Sequence, residues 1–234
     1  MNNMLQELIH FDQQLLIHLN GSDSDYWDGI WMGVTKVVTW VPFYLSMLYV
    51  LIRSFEFRKV VLVVLMMGLA ILLADQVASG ICKPYFQRFR PTHEPLLEGQ
   101  VDIVRGYVGG LYGFMSSHAA NGFAIFTFLS LVFRFKWLTL ALLQYAAFTS
   151  FSRIYLGLHY PGDILCGGLW GIVSGLLAYA LFCYLHEIIF KKRKFYSDTY
   201  TKSGVIKETA ALPVCVFYLT IIGIFFYAIY WINQ

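Results

Sequence analysis

The sequence predicts an all-α fold, a polytopic bundle of membrane-spanning helices that forms a single domain over residues 1–234. Hydrophobic residues make up 58% of the chain and charged residues 13%, with a mean hydropathy of +0.61. This balance leaves too little polar surface to cover a water-soluble globule. Apolar runs also recur at a length of about 20 residues, which a helix needs to cross the hydrocarbon core. Six such runs are found, near residues 30–52, 60–80, 119–133, 137–157, 162–190 and 212–232.

The segment 1–29 precedes the first apolar run and contains no Lys or Arg. It also lacks a continuous apolar core, so we predict neither a cleavable signal peptide nor a transit sequence. Within it, residues 4–19 place leucine and isoleucine at roughly helical spacing before Asn20 and Gly21 end the pattern. We expect an amphipathic helix here, either on the outer surface of the bilayer or closed over the bundle.

Two charges fall inside predicted spans, Lys36 in the first and Asp75 in the second. They lie about equally far from the outer ends of their spans. A charged side chain inside the bilayer is costly unless it is paired or reaches the interface. We therefore expect that the two residues pair with each other or that each reaches the interface alone.

The 17 Lys and Arg residues are concentrated in alternate loops. Because basic residues are retained on the cytoplasmic face, the loops that hold most of them are assigned to the cytoplasm. The last of these is the basic loop 191–211, which is followed by the last span at 212–232. The loops near 81–118 and 152–161 then lie outside together with both termini. This topology predicts an integral membrane protein with its basic loops in the cytoplasm.

The outer loop 81–118 is the longest connection and is rich in proline and glycine, as functional loops often are. It contains Lys83 and Arg90, and the next outer loop contains Arg153. Three cations on the outer face run against the inside preference and indicate an anionic ligand. Phosphate is the natural candidate, because arginine supplies forked donors and lysine a point charge.

Two further segments reach the same face. The third apolar run opens with Ser116, Ser117 and His118. At the start of a helix, unpaired backbone amides and the helix dipole favour binding of an anion. Alternatively, the serines only cap the helix. His159 stands just ahead of the fifth span, with Asp163 four residues later. The carboxylate can then fix the imidazole tautomer. Alternatively, His159 is an interfacial residue that reaches to water.

These segments resemble the three signature motifs of the type 2 phosphatidic acid phosphatases, membrane relatives of bacterial acid phosphatases and vanadium haloperoxidases. In this chain the motifs are, in the order that the family has them, Lys83-x6-Arg90-Pro91, Ser116-x-His118 and Ser152-Arg153-x5-His159-x3-Asp163. Where the family usually reads Pro-Ser-Gly-His, this chain has Met115, Ser116, Ser117 and His118. Serine in place of glycine keeps its amide available but reduces backbone freedom and crowds the phosphate.

The resemblance implies three catalytic residues. His159 would be the nucleophile and form a phosphohistidine, Asp163 would hold its tautomer, and His118 would protonate the leaving oxygen. The phosphate-binding residues that it implies are Lys83, Arg90, Ser116, Ser117 and Arg153. No metal and no other cofactor is implied, because positioning and side-chain cations carry this chemistry. The four cysteines also lack metal-ligand spacing.

The expected function is that of a metal-independent lipid phosphatase, which hydrolyses a phosphomonoester or pyrophosphate at the outer face of the cytoplasmic (inner) membrane, the location that the resemblance implies. Its expected partners are the bilayer and a lipid phosphate of the isoprenoid pyrophosphate, phosphatidylglycerol phosphate or lipid A type; no nucleic acid is expected. One alternative is transfer of the phosphoryl group to another lipid or sugar through the same intermediate. A less favoured alternative is an anion transporter, whose polar groups would lie at the bilayer midplane rather than at one face.

Overall fold

The computed structural model describes residues 3–190 and 200–233, and within these ranges the regular secondary structure is helical apart from two isolated β-bridges. The predicted all-α class is confirmed. The α-helices are α1 (Asn3–Leu19), α2 (Asp25–Thr35), α3 (Val41–Ser54), α4 (Phe57–Asp75), α5 (Lys83–Phe86), α6 (Ser117–Phe133), α7 (Lys136–Tyr155), α8 (Pro161–Ile189) and α9 (Lys207–Ile232). Residues 191–199, the first part of the predicted basic loop, lie outside the described residues. Its remainder is shorter than expected, since α9 begins before position 212.

Four segments of the described chain are long and apolar enough to cross a bilayer: Val37–Ser54, Phe57–Phe86, Pro161–Ile189 and Lys207–Ile232. They make this an integral membrane protein. The helix α6 is apolar but has only 17 residues, and α7 spreads Thr, Ser and Gln side chains along its 20 residues. A count of six spans, with α6 and α7 as the other two, stays a prediction.

The first predicted span, 30–52, is not one helix, and this expectation is wrong. The helix α2 ends just before Lys36, whose backbone is extended (φ −76°, ψ 124°), and a single 3₁₀ turn then leads into α3. The hydroxyl of Thr39 and the indole N–H of Trp40 donate to carbonyls of the last turn of α2, at 2.8 and 2.9 Å. Because side chains satisfy these carbonyls, the helix can break there without leaving buried acceptors unpaired.

Pairing between Lys36 and Asp75, one of the two expectations for these charges, is wrong. The Lys36 ammonium instead donates to the hydroxyl of Tyr227 at 2.9 Å and lies over the rings of Tyr227 and Trp231. Asp75 accepts a hydrogen bond from Ser79 at 3.2 Å. Each charge therefore has its own polar partners.

The second predicted span extends beyond residue 80, because α4 continues through a π-helical turn over Gln76–Cys82 into α5. A π turn widens the helix locally and changes the direction of the side chains that follow it. Lys83, which the sequence assigns to a loop, therefore stands on the end of a long helix, close to Ser79. This position brings its ammonium to the start of α6.

The helices α6 and α8 approach each other closely through glycines. A Cβ built on Gly171 would lie 2.2 Å from the carbonyl oxygen of Ala120, and one built on Gly167 would lie 2.4 Å from that of Ser116. Small residues permit such backbone contact between membrane helices. The amide of Ser116 also donates to the carbonyl of Asp163 at 3.1 Å. The N-terminal ends of α6 and α8 are thereby held side by side.

This contact predicts a selective sensitivity to one added methyl group. We expect Gly171→Ala to lower the free energy of unfolding by about 1–3 kcal/mol, since the methyl group would overlap backbone atoms of α6. The matched control is Gly223→Ala in α9, where a Cβ would meet nothing within 4 Å. That substitution should be neutral or stabilising by up to about 1 kcal/mol. Denaturant unfolding in detergent measures both; equal stability of the two variants would contradict the predicted contact.

The helix α1 lies over the end of the bundle where α6 and α8 begin. Its Leu16 is completely buried against residues of α7, the start of α8 and the loop between α5 and α6. Towards its N-terminus the large apolar side chains Met4, Leu8 and Phe11 are exposed. The helix ends just before Asn20, and Gly21 follows with a φ of +64°, a conformation that glycine adopts readily. Its C-terminal half thus packs on the bundle.

Candidate active site

The residues that the sequence singles out belong to separate elements that meet at one end of the bundle. They are Lys83 on α5, Arg90 in the α5–α6 loop, Ser116, Ser117 and His118 at the start of α6, Arg153 at the end of α7, His159 in the α7–α8 turn and Asp163 in the first turn of α8. The contacts between them show a common polar cluster.

His159 is almost completely buried, and both its ring nitrogens have defined neighbours. Nδ1 lies 3.4 Å from Oδ2 of Asp163, which is fully buried and also accepts the backbone N–H of Tyr160 at 3.1 Å. Nε2 lies 3.3 Å from Nη1 of Arg90. A guanidinium only donates, so Nε2 faces it with its lone pair and the proton lies on Nδ1, towards the carboxylate.

The surroundings of His159 favour its neutral form. Burial is the largest cause that lowers the pKa of His159 well below its usual value, followed by the positive charges of Arg90, Arg153 and Lys83; a backbone hydrogen bond with Gly113 opposes them. An imidazole that stays neutral at pH 7 keeps the Nε2 lone pair available for attack on an electrophile.

The two arginines are held by uncharged partners. Arg90 is buried and donates to the carbonyls of Tyr112 and Leu158, at 3.2 and 3.3 Å. Arg153 donates to the hydroxyl of Thr35 at 2.7 Å, while its buried Nε has no partner among the residues described. Because neither guanidinium is ion-paired in the described structure, their positive charge remains for an anionic ligand.

Lys83 is placed by two hydroxyl groups. Its ammonium donates to Ser117 Oγ at 2.7 Å and to Ser79 Oγ at 3.1 Å, and the two hydroxyls lie 2.7 Å apart. Sequence reasoning missed Ser79, although it lies four residues before Lys83, a spacing that puts both on one side of a helix. Ser117, in place of the family's glycine, thus adds a hydrogen-bonding side chain to the site.

Ser116 and His118 are placed by the start of α6. Ser116 is the N-cap residue, and its fully buried Oγ accepts the amide of Ala119 at 3.4 Å. The helix-cap alternative therefore holds for this side chain. His118 is partly buried, interacts electrostatically with Arg153 and His159, and borders an apolar cavity described below.

Arg88 was not singled out by sequence reasoning and is the closest cation to Asp163. Its Nη1 donates to Oδ1 of Asp163 at 2.9 Å, and its Nη2 donates to Oδ2 of Asp12, on α1, at 2.8 Å. The guanidinium also stacks on the ring of Tyr160 at 3.9 Å. The position of Arg88 two residues before Arg90 in the sequence could have marked it as a candidate site residue. Asp12, seventy-six positions from Arg88, gave no such signal.

An apolar cavity of about 490 Å³ opens beside the polar cluster. It lies between α3, α4, α6 and α7, with His118 among its lining residues and side chains such as Met47, Val63, Ile71 and Ile125 along its walls. The combination of a cationic cluster and an adjoining apolar cavity fits an amphipathic ligand with an anionic head.

The polar cluster also lacks a preformed metal centre. Over residues 3–190 and 200–233, no three His, Cys, Asp or Glu side chains are grouped so as to hold a metal ion. What the cluster does provide is a neutral, oriented imidazole, a second imidazole and three cations. These groups suit attack on phosphorus with stabilisation of the charge on its oxygens.

The fold and the site together define a membrane-bound phosphatase. Residues 59–187, more than half of the chain, match the PAP2 superfamily, and the chain belongs to this superfamily. The resemblance seen in the motifs is therefore confirmed.

Two similar proteins are named lipid A 4'-phosphatase. The one from Bacteroides thetaiotaomicron is 36% identical over 229 residues, which is 97% of this chain and 99% of that protein. The one from Porphyromonas gingivalis is 32% identical over 180 residues, 77% of this chain and 76% of that protein. The similarity to these relatives identifies the chain as a membrane lipid phosphatase.

Two solved structures share the fold. LpxE of Aquifex aeolicus superposes with a TM-score of 0.53 at 25% identity and covers 71% of this chain and 93% of its own. The PAP2-type phosphatidylglycerolphosphate phosphatase of Bacillus subtilis gives a TM-score of 0.52 at 22% identity, with 82% of this chain and 90% of its own covered.

Proposed function

We propose that this protein removes a phosphate group from a lipid of the lipid A type at the outer face of the cytoplasmic membrane, through a phosphohistidine on His159. The observation that carries the proposal is the buried, neutral imidazole of His159, oriented by Asp163 and placed beside Arg90. The substrate class is supported by the two lipid A 4'-phosphatases, one of which aligns over nearly the whole chain.

In the first step, the Nε2 lone pair of His159 attacks phosphorus while the bond from phosphorus to the lipid oxygen breaks. In its protonated form, which the negative charge of the bound phosphate favours, His118 gives a proton to that oxygen, and the dephosphorylated lipid leaves. Asp163 accepts the hydrogen bond from Nδ1 and stabilises the positive charge that forms on the ring. In the second step, water attacks the phosphohistidine, His118 takes its proton, and inorganic phosphate and free His159 result.

The cations bind the non-reacting phosphoryl oxygens throughout both steps. Arg90 and Arg153 offer guanidinium donors, and Lys83 offers an ammonium that two serine hydroxyls already orient. The amide of Ser117 lies at the start of α6, where the helix dipole favours an anion. Ser116 caps the same turn and so fixes the direction of these amides. Such preorganised donors stabilise the charge that develops in the transition state.

The proposed membrane orientation is supported by the position of a group of basic side chains. Arg58, Lys59, Arg134 and Lys202 line a second cavity of about 650 Å³. Arg134 directly follows the C-terminal end of α6, whereas His118 lies at its N-terminal end, so this cavity and the polar cluster are at opposite ends of the bundle. Since basic residues are retained in the cytoplasm, we place the polar cluster outside.

Both termini are proposed to face outward with the site. Asp12 of α1 contacts Arg88, and Arg105 of the α5–α6 loop donates to the backbone carbonyl of Trp231 near the C-terminus.

Labelling of intact cells with a membrane-impermeant maleimide, in a cysteine-free background, tests the orientation. We expect labelling of Glu98→Cys in intact cells and of Lys202→Cys only after permeabilisation. The reverse pattern would contradict the outward site.

The function is tested by phosphate release from lipid A, phosphatidylglycerol phosphate and an isoprenoid pyrophosphate in detergent with EDTA present. We expect release from lipid A that is lost in His159→Ala and strongly reduced in His118→Ala. The matched control is His186→Ala, since His186 lines the second cavity at the opposite end. Activity that needs an added metal, or that survives loss of His159, would overturn the mechanism. Analysis of the phosphorylated products distinguishes hydrolysis from transfer to another lipid or sugar.

The apolar cavity is proposed to hold part of the acyl chains of the substrate. Val64 lines it and is half-exposed, whereas its neighbour Leu65 is somewhat more exposed and does not line it. We expect Val64→Trp to raise KM for a long-chain lipid phosphate about tenfold, because the indole fills volume that the chains would occupy. Turnover of a short, water-soluble phosphomonoester should be unchanged, and Leu65→Trp should alter neither. Equal KM values for the two variants would exclude this cavity as the chain site.

A further inference from the structure

The ion pair between Arg88 and Asp163 is the starting point, because it joins Asp163 to an arginine at a position that the first motif leaves unspecified. One oxygen of Asp163 faces His159 and the amide of Tyr160, and the other accepts Arg88 Nη1 at 2.9 Å. A fully buried carboxylate is costly unless its charge is compensated. Arg88 supplies that compensation, so its position determines how the carboxylate is held beside the imidazole.

Arg88 is in turn positioned by α1. Its Nη2 donates to Oδ2 of Asp12 at 2.8 Å, so one guanidinium joins two carboxylates. The other oxygen of Asp12 accepts the amide of Gly162, in the first turn of α8, at 2.7 Å. Asp12 is therefore bound on both oxygens, and one of these bonds goes to the residue directly before Asp163. A charged bond of this kind fixes geometry as well as adding energy.

Space around Asp12 is also restricted. A Cβ on Gly162 would lie 2.8 Å from Oδ2 of Asp12, so a residue with a side chain there would push the carboxylate away. The Arg88 guanidinium is confined on a further side by the ring of Tyr160. Without the Asp12 charge, the outer half of the guanidinium loses its ionic partner and is free to turn towards water, since the Arg88 side chain is 24% exposed.

We propose that Asp12, on the N-terminal helix, is a positioning residue of the phosphatase reaction: through Arg88 it holds Asp163, and thereby His159, in the reactive arrangement. This inference rests on the proposed role of His159 as nucleophile. It gives α1 a part in turnover beyond covering the end of the bundle. Because Asp12 contacts no substrate atom in this scheme, its loss affects the chemical step and leaves substrate binding unchanged.

The test compares Asp12→Asn with Asp12→Glu, which keeps the charge, and with Glu7→Gln, which removes an exposed carboxylate from the same helix. We expect Asp12→Asn to lower kcat roughly ten- to a hundredfold, the effect of one lost charged hydrogen bond, with KM within twofold of wild type. Asp12→Glu should recover part of kcat, and Glu7→Gln should match wild type. Protein is quantified as the folded fraction that elutes as a single species in gel filtration in detergent, so that loss of folded protein does not enter kcat.

A second readout needs no substrate. In NMR spectra of protein with ¹⁵N-labelled histidine, the ring nitrogen signals of His159 report its tautomer, and their absence from His159→Asn assigns them. We expect a uniform Nδ1–H form in wild type and a mixture of tautomers in Asp12→Asn. Unchanged kcat per folded protein together with unchanged ring signals would overturn the proposal and leave α1 a structural role alone. If wild type hydrolyses no lipid phosphate, the proposed function fails, while the ring signals still decide whether Asp12 positions His159.

Discussion

Replacing Asp163 with asparagine is expected to lower kcat by about 10³–10⁴-fold, the cost of losing the carboxylate that orients a catalytic histidine. Asp163 accepts from Nδ1 of His159 and so keeps the lone pair on Nε2, where phosphorus is attacked. An amide offers an N–H group as readily as an oxygen, and it supports the opposite tautomer. It also carries no charge to stabilise the imidazolium that forms during attack.

The same substitution removes one of the two ionic partners of Arg88, the carboxylate at 2.9 Å, and leaves Asp12 as the other. Loss of this negative charge leaves the surroundings of His159 more positive, which further disfavours positive charge on the ring and adds to the loss. Rapid-quench measurement of phosphohistidine formation in a single turnover isolates this step from later hydrolysis. Glu98→Gln is the matched control, since Glu98 is an exposed carboxylate of the α5–α6 loop. A rate of phosphohistidine formation within tenfold of wild type would show that Asp163 does not orient the nucleophile.

Replacing Arg90 with glutamine is expected to have two separable effects. At the pH optimum, kcat/KM should fall about 10²–10³-fold, as when one preorganised donor to a developing oxyanion is removed. The second effect is on the acid limb of the profile. After burial, the charge of Arg90 is the largest cause that lowers the pKa of His159. Without this charge the pKa rises towards the ordinary value of about 6.5.

With a raised pKa, His159 stays neutral over a narrower range of pH. In Arg90→Gln the acid limb of kcat/KM should therefore move to higher pH. The pH dependence of kcat/KM measures this movement, and titration of ¹³C-labelled histidine without substrate measures the pKa directly. Arg105→Gln is the control: Arg105 lies in the same loop but donates to the carbonyl of Trp231 instead of facing His159. An acid limb that stays at its wild-type position in Arg90→Gln would show that this charge does not act on His159.

The helices α6 to α8 were predicted within one or two residues, because apolar length and local end signals determine them. Pro161 starts α8 and Ser116 caps α6, as residues of these types do in many helices. The break at Lys36 was not predictable in this way. It depends on hydrogen bonds from the side chains of Thr39 and Trp40 to backbone carbonyls of α2. A hydropathy pattern contains no information about such bonds.

The functional site, like the fold, was predictable from the sequence where its interactions are local. The residue types and spacing around His159 and Asp163 were readable from the chain, because the two lie one helical turn apart and their interaction is local. The sequence also indicated an anion-binding cluster, since basic residues in loops that are predicted to lie outside run against the usual preference for the cytoplasmic face.

Hydropathy and motif spacing in the sequence by themselves determined the all-α membrane class and membership of a phosphatase superfamily, since both are written in residues close together along the chain. Only the tertiary structure decided that Lys36 and Asp75 stay apart, that Ser79 holds Lys83, and that Asp12 reaches Asp163 through Arg88. The physical reason is that an ion pair or hydrogen bond forms where packing brings two groups within about 3 Å. For groups many residues apart in the chain, that distance is set by how the helices pack.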